Sequence, residues 1–210
     1  MVGNNTVART PFHNFDFRGC NGTVQDEHTW REAHPVGAPT CTDEGMKFEG
    51  IDEQYVNLDD FYFGGSTSIE IYAKHDSYNY DSELFYAADN MSYTDALTIY
   101  NPTTTSSMAF QVRQGFGLGT GNILTAGDFS NTEWTHVVAT VEGTTMNLYE
   151  NGVLVGSKRD AWEPIWKQRV HHQLGSNSFN GTIAYLRMWK HTAFGTEPIL
   201  SREEIDAMYN

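Results

Sequence analysis

The chain has 210 residues, of which 27 are acidic and 13 are basic, so its formal net charge is −14. This charge argues against nucleic-acid binding, which needs basic surfaces that release counterions, and it disfavours anionic membranes. It is compatible with divalent cations, neutral glycans or basic protein partners, and acidity also simply keeps a domain soluble. No stretch approaches the roughly 20 apolar residues of a membrane helix, so we expect no membrane insertion.

The N-terminal part of the chain shows little periodicity. We expect residues 1–10 to form a flexible lead-in without signal-peptide character, and residues 11–210 to form a single domain. The segment Phe12–Phe17 alternates with period two and predicts a first strand, with its two later phenylalanines on one face. The following stretch, residues 18–43, is predicted to be a loop.

Two features favour an oxidising, extracellular setting. The cysteines, Cys20 and Cys41, lie in the predicted N-terminal loop without metal-type C-x-x-C spacing, which favours a disulfide over two free thiols. The N-x-S/T triplets that accept N-glycosylation occur at Asn4, Asn21, Asn90 and Asn180. Together they point to a mature form, or a domain, of a secreted glycoprotein.

Short strands are predicted through the first half of the domain, because apolar residues alternate there between turn-forming residues. The predicted strands are Gly45–Gly50, Gln54–Leu58, Ser66–Lys74, Glu83–Ala87, Ala96–Tyr100 and one around Met108, Phe110 and Val112. Glycines then recur at every second position from Gly115 to Gly121. This spacing fits neither G-x-G-x-x-G nor a P-loop, so we predict a loop at a sheet edge rather than a phosphate site.

The strongest pattern lies in Trp134–Gly156, which predicts three consecutive antiparallel strands. Asn151-Gly152 is typical of a two-residue type I′ turn, which needs positive φ at both central residues. Such a turn fixes the register of the strands that it joins. The predicted pairs are Glu150 with Val153, Tyr149 with Leu154 and Leu148 with Val155, and we place these strands in the middle of a sheet.

The C-terminal part adds strands and one helix. After a predicted loop, Ser157–Arg169, the predicted strands are Val170–Leu174 and Gly181–Trp189. Ser201 and Glu204 form the capping box of a short helix. Many short alternating strands with frequent turns predict an all-β fold, a two-sheet antiparallel β-sandwich of the jelly-roll type with a short C-terminal helix.

Several segments, in this order, resemble the laminin G-like branch of the concanavalin A-like lectin/glucanase superfamily. They are Gly45–Leu58, Ser66–Lys74, Trp134–Gly156, His172–Trp189 and Leu200–Tyr209. The set combines a Trp-His-x-Val strand, the Asn-Gly hairpin and a Leu-Gly…Phe-x-Gly-x-Ile sequence. The start, FHNFDFRGC, resembles the first strand that such domains place beside their last one. The resemblance implies a jelly roll and extracellular binding of glycan or protein, often with calcium.

The resemblance also implies a calcium site at the rim of the sandwich. In this family an acidic residue just before a strand like Ala96–Tyr100 helps to hold calcium, and Asp95 occupies that place. Asp89 and Asn90 in the same loop offer further oxygen ligands of the kind that calcium prefers. The alternative is an ordinary acidic turn.

No catalytic motif is found in the sequence. Related laminarinase-like enzymes carry an E-x-D-x-x-E pattern on one strand, and the nearest segment, Glu70–His75, has Tyr72 and His75 at the second and third acidic positions. We therefore expect a non-catalytic module.

The histidines are expected to have structural or surface roles. His171 and His172 point to opposite faces of a strand, so they cannot bind one metal ion together without a bend. His75 is interpreted in the same way, and His136 as a hydrogen-bonded structural residue.

Two groups of side chains are candidates for glycan contact, since the apolar face of a sugar stacks on aromatic rings. They are Tyr78, Tyr80 and Tyr86 beside an acidic loop, and Trp162 and Trp166 with Arg159 in the loop after Gly156. The alternative is that these rings cover the ends of the core.

These observations favour a recognition module that binds glycan through rim loops, with or without calcium, in a larger adhesive or surface protein. The alternative is a protein-interaction or structural assembly module. A polysaccharide-active enzyme is the third reading, and the missing acid pattern counts against it.

Overall fold

The computed structural model describes residues 9–89, 95–115, 121–129, 132–190 and 199–209. Within these residues the chain forms eighteen strands and one helix. They are β1 (His13–Asp16), β2 (Val24–Gln25), β3 (Glu32–Val36), β4 (Thr40–Cys41), β5 (Met46–Glu49), β6 (Tyr55–Leu58), β7 (Phe61–Phe63), β8 (Thr67–Ser77), β9 (Ser82–Ala88), β10 (Leu97–Asn101), β11 (Ser107–Arg113), β12 (Gly121–Asp128), β13 (Trp134–Glu142), β14 (Thr145–Glu150), β15 (Val153–Lys158), β16 (Lys167–Arg169), β17 (His171–Ser176), β18 (Asn180–Lys190) and α1 (Arg202–Tyr209).

Two eight-stranded antiparallel sheets form a sandwich. Sheet A has the order β15-β14-β13-β8-β18-β5-β4, with β1 also paired to β18. Sheet B has the order β12-β11-β10-β9-β17-β6-β3-β2, and β16 pairs with β7 in a small separate sheet. The predicted all-β, two-sheet sandwich with a short C-terminal helix is confirmed. The first strand also lies beside the last, as the family resemblance implied.

The core fills the space between the sheets and is rich in phenylalanine. Period-two alternation turns Ile69 and Ile71 of β8 inward, and both are almost fully buried. The nine phenylalanines that are also almost fully buried are Phe15, Phe17, Phe48, Phe61, Phe63, Phe85, Phe110, Phe129 and Phe179. Burial of this much apolar surface is the main force that holds the two sheets together.

Two histidines belong to the same core. The ring of His172 stacks on Phe61, with centroids 3.8 Å apart, and the ring of His75 packs against Phe129 and Phe179. His171, one residue earlier than His172, faces outward as the strand alternation predicts. Packing roles are therefore confirmed for His75 and His172.

Helix α1 covers part of the outer face of sheet A. Its capping box is confirmed, because the Ser201 amide donates to Glu204 Oε2 at 2.8 Å and the Glu204 amide donates to Ser201 Oγ at 3.2 Å. Arg9 Nε donates to Glu204 Oε1 at 2.7 Å, which joins the N-terminal end of the described chain to the helix. On the same face, His136 Nε2 lies 2.8 Å from the buried Glu70 carboxylate, so its predicted structural role is confirmed.

Two details of the Trp134–Gly156 prediction are wrong. The three strands form as β13, β14 and β15, but they occupy one end of sheet A, with β15 at its edge. The first two predicted residue pairs are confirmed. Leu148, however, pairs with Gly156 rather than Val155, because a bulge places an extra residue in β15. A turn type fixes the register only until the first bulge.

The prediction of a loop over residues 18–43 is also wrong, because this segment contains β2, β3 and β4. These strands have two to five residues, which is too short for periodicity to show, and Pro35 lies inside β3. Strands β7, β12 and β16 were not predicted either. In β12 the pattern is obscured because Asn122 is buried whereas Ile123 is exposed.

The predicted disulfide joins Cys20 and Cys41. It ties the segment after β1 to β4, at the edge of sheet A. This link compensates for the short strands of the N-terminal region, which have few ladder hydrogen bonds of their own. In the described residues, no helix combines the length and apolar character that membrane crossing requires.

A polar groove on the outer face of sheet B

Strands β9, β10 and β11 build a polar pocket on the face of sheet B that points away from the core. On β10 and β11 the inward residues, such as Ile99 and Phe110, are buried in the core, so the alternate residues face outward. On β9 a register shift opposite Ile99 and Tyr100 turns Glu83 outward, although Phe85, two residues later, lies in the core. The pocket has a volume of about 240 Å³. Its lining residues are Asp81, Glu83, Thr98, Tyr100, Gln111, Arg113 and Asn177.

A second, more open pocket of about 730 Å³ continues from the first across β17, β6 and β3. Its lining includes His34, Asp52, Tyr55, Asn57, His171 and Gln173. Glu83 and Asn177 line both pockets. The two pockets therefore form one continuous groove, which we call the sheet B groove.

Glu83 lies at the junction of the two pockets. It pairs with Tyr100 on one side and with Ser176 on the other. The Ser176 hydroxyl donates to Glu83 Oε2 at 2.7 Å. Burial raises the pKa of Glu83 to about 7, because a carboxylate loses hydration in the groove floor.

The turn before β9 brings a second carboxyl group to the groove. Asp81 has a φ of 55°, and Asn177 Nδ2 donates to its carbonyl oxygen at 2.9 Å. Burial also raises the pKa of Asp81. Tyr80, immediately before it, is 68% exposed and lies near Tyr100 of the groove, which places it at the rim. Two carboxyl groups thus lie close together near the junction of the two pockets, with an exposed ring beside them.

The other wall is formed by β11 and β12. Arg113 Nη2 lies 3.3 Å from Gln111 Oε1, to which it donates. Arg113 Nε is buried and has no hydrogen-bond partner among the described residues. Gly121 and Ile123 lie opposite Arg113 and Gln111 on β12, and the exposed Ile123 side chain adds an apolar edge.

This set of groups suits a ligand rich in hydroxyl groups. Carboxyl, amide, hydroxyl and guanidinium groups offer donors and acceptors within one cleft. Tyrosine rings and Ile123 offer apolar surface for the carbon-bound hydrogens of a sugar.

The predicted tyrosines are placed in three different environments. Tyr80 lies at the groove rim. Tyr78 is half-buried, its hydroxyl donates to the Phe129 carbonyl and its ring packs against His75. Tyr86 is buried on the outer side of β9, where it packs with small neighbours. Only Tyr80 of this group is available to a ligand in the groove.

The predicted tryptophans lie elsewhere. Trp162 and Trp166 are partly exposed in the segment between β15 and β16. This segment is held by Glu163, whose carboxylate accepts from the Ser66 hydroxyl and the Gly143 amide. Arg159 is exposed at the start of the same segment. In the described structure, none of these three residues lines the sheet B groove.

The predicted calcium residues surround a lysine. Lys167 Nζ lies 2.9 Å from Asp89 Oδ2 and 2.6 Å from Asp95 Oδ2. The Gly115 amide also donates to Asp95 Oδ1 at 2.8 Å. Asn90 lies outside the described residues. Across the described ranges, no three His, Cys, Asp or Glu side chains are grouped so that they could hold a metal ion.

The predicted glycosylation sites differ in accessibility. Asn21 is exposed. Asn180 is half-buried and its Nδ2 donates to Ser77 Oγ at 2.8 Å, so it is less accessible to glycan attachment than Asn21. Asn4 and Asn90 lie outside the described residues.

A family model, Laminin_G_3 of the concanavalin A-like lectin/glucanases superfamily, matches residues 49–197. A search of curated proteins found no match. Among solved structures, domain 4 of AbnA, a GH43 extracellular arabinanase from Geobacillus stearothermophilus in complex with arabinotriose, is similar. It has a TM-score of 0.67 and 15% identity, and the match covers 97% of this chain and 100% of that one.

Two further solved structures are similar to this chain. The CBM40 of the Ruminococcus gnavus IT-sialidase, bound to α2,3 sialyllactose, has a TM-score of 0.56 and 13% identity over 73% of this chain and 95% of that one. The binding domain of botulinum neurotoxin serotype G has a TM-score of 0.65 and 11% identity over 95% of this chain and 50% of that one. At such identities, the similarity shows a shared fold.

Proposed function

This chain belongs to the concanavalin A-like lectin/glucanases superfamily, and we propose that it binds glycan in the sheet B groove. The observation that carries the proposal is the continuous groove itself. It brings carboxyl, amide, hydroxyl and guanidinium groups together with an exposed tyrosine at its rim. Similar solved structures were determined with arabinotriose and with sialyllactose, which supports a carbohydrate partner.

A glycan array followed by titration calorimetry tests the proposal. Wild-type protein is expected to bind at least one oligosaccharide, and Tyr100→Ala and Arg113→Ala should each weaken that binding tenfold or more. The matched control is a Trp162→Ala/Trp166→Ala double variant, which removes aromatic surface outside the groove and should retain affinity. Loss of binding in the control alone would move the site to the rim loops. If the wild-type protein binds no glycan on the array, the protein-interaction alternative is favoured.

Calcium assistance is a finer proposal, and the same array tests it when it is run in millimolar calcium and in EDTA. We expect groove binding to survive EDTA, because the ammonium of Lys167 already forms ion pairs with both Asp89 and Asp95. Binding that is lost in EDTA and restored by calcium would support an ion at Asp95.

We further propose that the module binds glycan without cleaving it. Hydrolysis is the second candidate, because Asp81 and Glu83 place two carboxyl groups in the groove and glycoside hydrolysis uses such a pair. Incubation of the protein with arabinan, galactan and β-glucans, with detection of new reducing ends, separates the two. Release of sugars that Glu83→Gln abolishes would establish an enzyme.

The proposed setting is extracellular, as a domain of a larger secreted protein. The disulfide between Cys20 and Cys41 supports it, since such bonds persist in oxidising compartments. The extracellular arabinanase among the similar structures supports it as well. Two measurements test this setting. The tagged chain should be secreted, and alkylation of the secreted protein followed by mass spectrometry should find no free thiol.

A further inference from the structure

We propose that the sheet B groove selects uncharged glycans over acidic ones and that Glu83 imposes this selection. The inference rests on the proposed glycan-binding function and specifies the class of ligand for the same site.

The first argument is the balance of charged groups in the groove. Asp52, Asp81 and Glu83 line it, whereas Arg113 is the one lysine or arginine among its described lining residues. A carboxylate or sulfate on a ligand would therefore meet more negative than positive charge at short range. The chain as a whole carries a formal net charge of −14, which adds to this repulsion.

The position of Glu83 makes it the decisive acid. Because it lines both pockets, a ligand that spans the groove must pass over it. Its carboxyl group accepts a hydrogen bond from Ser176, a neutral donor, and no described lysine or arginine forms an ion pair with it. A carboxyl group without an ion-pair partner in a poorly hydrated floor repels a second anion more strongly than an exposed one does.

Arg113 does not reverse this balance. Its guanidinium group donates to Gln111, and it lies in the same pocket as Asp81 and Glu83, whose charges offset its own. An acidic sugar placed on Arg113 would keep both carboxyl groups as neighbours.

Proton binding by Glu83 makes the selection depend on pH. Since burial raises its pKa to about 7, the carboxyl group is charged at pH 8 and largely neutral at pH 5.5. The groups that face it are Asp81 from the preceding turn, Tyr100 from β10 and Arg113 from β11, with His34, His171 and Asp52 in the adjoining pocket. When protonated, Glu83 donates a hydrogen bond, and its repulsion of acidic ligands disappears.

The experiment measures affinities for matched pairs of oligosaccharides that differ in charge. Tetragalacturonate is paired with α-1,4-linked galactotetraose, and 3′-sialyllactose with its neutral carboxamide, at pH 8 and at pH 5.5. In wild-type protein the neutral member of a bound pair is expected to bind at least tenfold more tightly at pH 8, and this ratio should shrink severalfold at pH 5.5. Glu83→Gln should reduce the ratio at pH 8 to less than threefold and make it change less with pH than in the wild-type protein.

Two controls separate local from general effects. Glu142→Gln removes one exposed negative charge at the end of β13, outside the groove, and should keep the wild-type ratio. Asp81→Asn should lower the ratio in part, and it provides a second test if Glu83→Gln fails to fold. Equal or tighter binding of the acidic member at pH 8, or an unchanged ratio in both groove variants, overturns the selection while leaving glycan binding intact. Failure of both pairs and of the whole array to bind overturns the proposed function, and the selection with it.

Discussion

A Cβ atom on Gly181 would lie 2.1 Å from the backbone oxygen of Lys74. Gly181 pairs with His75, the residue after Lys74, where β18 pairs with β8, beside a bulge that shifts the register between Asn180 and Gly181. Real Cβ atoms never approach a backbone oxygen so closely, so any side chain here must push the two central strands of sheet A apart. Gly181→Ala is therefore expected to lower the free energy of unfolding by about 3 kcal/mol. Urea denaturation measures this loss.

Gly143→Ala is the matched control for Gly181→Ala. Gly143 has a φ of 53° in the exposed turn between β13 and β14, and a Cβ there would meet no atom within 4 Å. Gly143→Ala should lower the free energy of unfolding by about 1 kcal/mol, because of backbone strain alone. Equal losses in the two variants would contradict the steric argument.

The close approach of strands at glycines also explains why the family could be identified from the sequence. Gly175 and Gly181 belong to the Leu-Gly…Phe-x-Gly-x-Ile sequence that indicated the family, and both glycines are required by close approach. At Gly175, with a φ of 65°, a Cβ would lie 2.5 Å from the ring of Phe48. The two glycines of the motif are therefore required by contacts between strands that are distant in sequence.

The cross-link in the N-terminal region leads to a second prediction. Cys20 and Cys41 are 21 residues apart and close a loop that contains the short strands β2 and β3. Replacement of both cysteines by serine removes the restriction on the unfolded chain, which should cost about 3 kcal/mol. Urea denaturation of the double variant under non-reducing conditions measures the loss. Addition of a reducing agent should not change the stability of the double variant further. A reduced wild-type protein as stable as the oxidised one would contradict the prediction.

The pH dependence of stability follows from a buried base. Burial lowers the pKa of His75 to about 3, and its Nε2 has no partner in the described part of the chain. In the unfolded chain the ring binds a proton below about pH 6.5, whereas in the fold it stays neutral until about pH 3. His75 therefore causes no loss of stability above pH 6.5, and the free energy of unfolding declines as the pH falls from 6.5 to 3.

His75→Phe should remove that decline. Two pH units below the unfolded pKa, at pH 4.5, linkage gives about 3 kcal/mol for one such group. The drop in the free energy of unfolding between pH 7 and pH 4.5 should thus be smaller by this amount in the variant, as measured by urea titrations at both values. His172, whose pKa burial also lowers, accounts for part of the drop that remains. The exposed His28 offers a control, since His28→Asn should leave the drop unchanged.

The groove could not be predicted from the sequence, because it depends on the order of the strands in sheet B. Alternation with the inward residues Phe110 and Val112 places Gln111 outward on its strand. The order of sheet B, however, sets β9 between β10 and β17, and β17 is distant in sequence. Glu83 and Asn177 meet only because of that order. Of the aromatic residues that were predicted to contact glycan, Tyr78 packs against His75. The predicted calcium residues Asp89 and Asp95 lie around Lys167, which no spacing rule connects to them.

Gly121 provides a way to test the groove without removing any of its own side chains. A Cβ at this position would lie 2.6 Å from Gln111 Nε2, in the wall of the groove. Since that atom is the far end of a flexible side chain, Gln111 can move aside, and Gly121→Ala should change the free energy of unfolding by less than about 1 kcal/mol. The displaced amide would no longer hold Arg113 in place, so affinity for the groove-bound glycan should fall about threefold to tenfold. Calorimetric titration measures the fall, and Thr125→Ala, at an exposed position on the same strand, should leave the affinity unchanged. An unaltered affinity in Gly121→Ala, with Gln111 shown to be displaced, would mean that this wall does not contact the ligand and that recognition is confined to the rest of the groove, including the junction near Asp81 and Glu83.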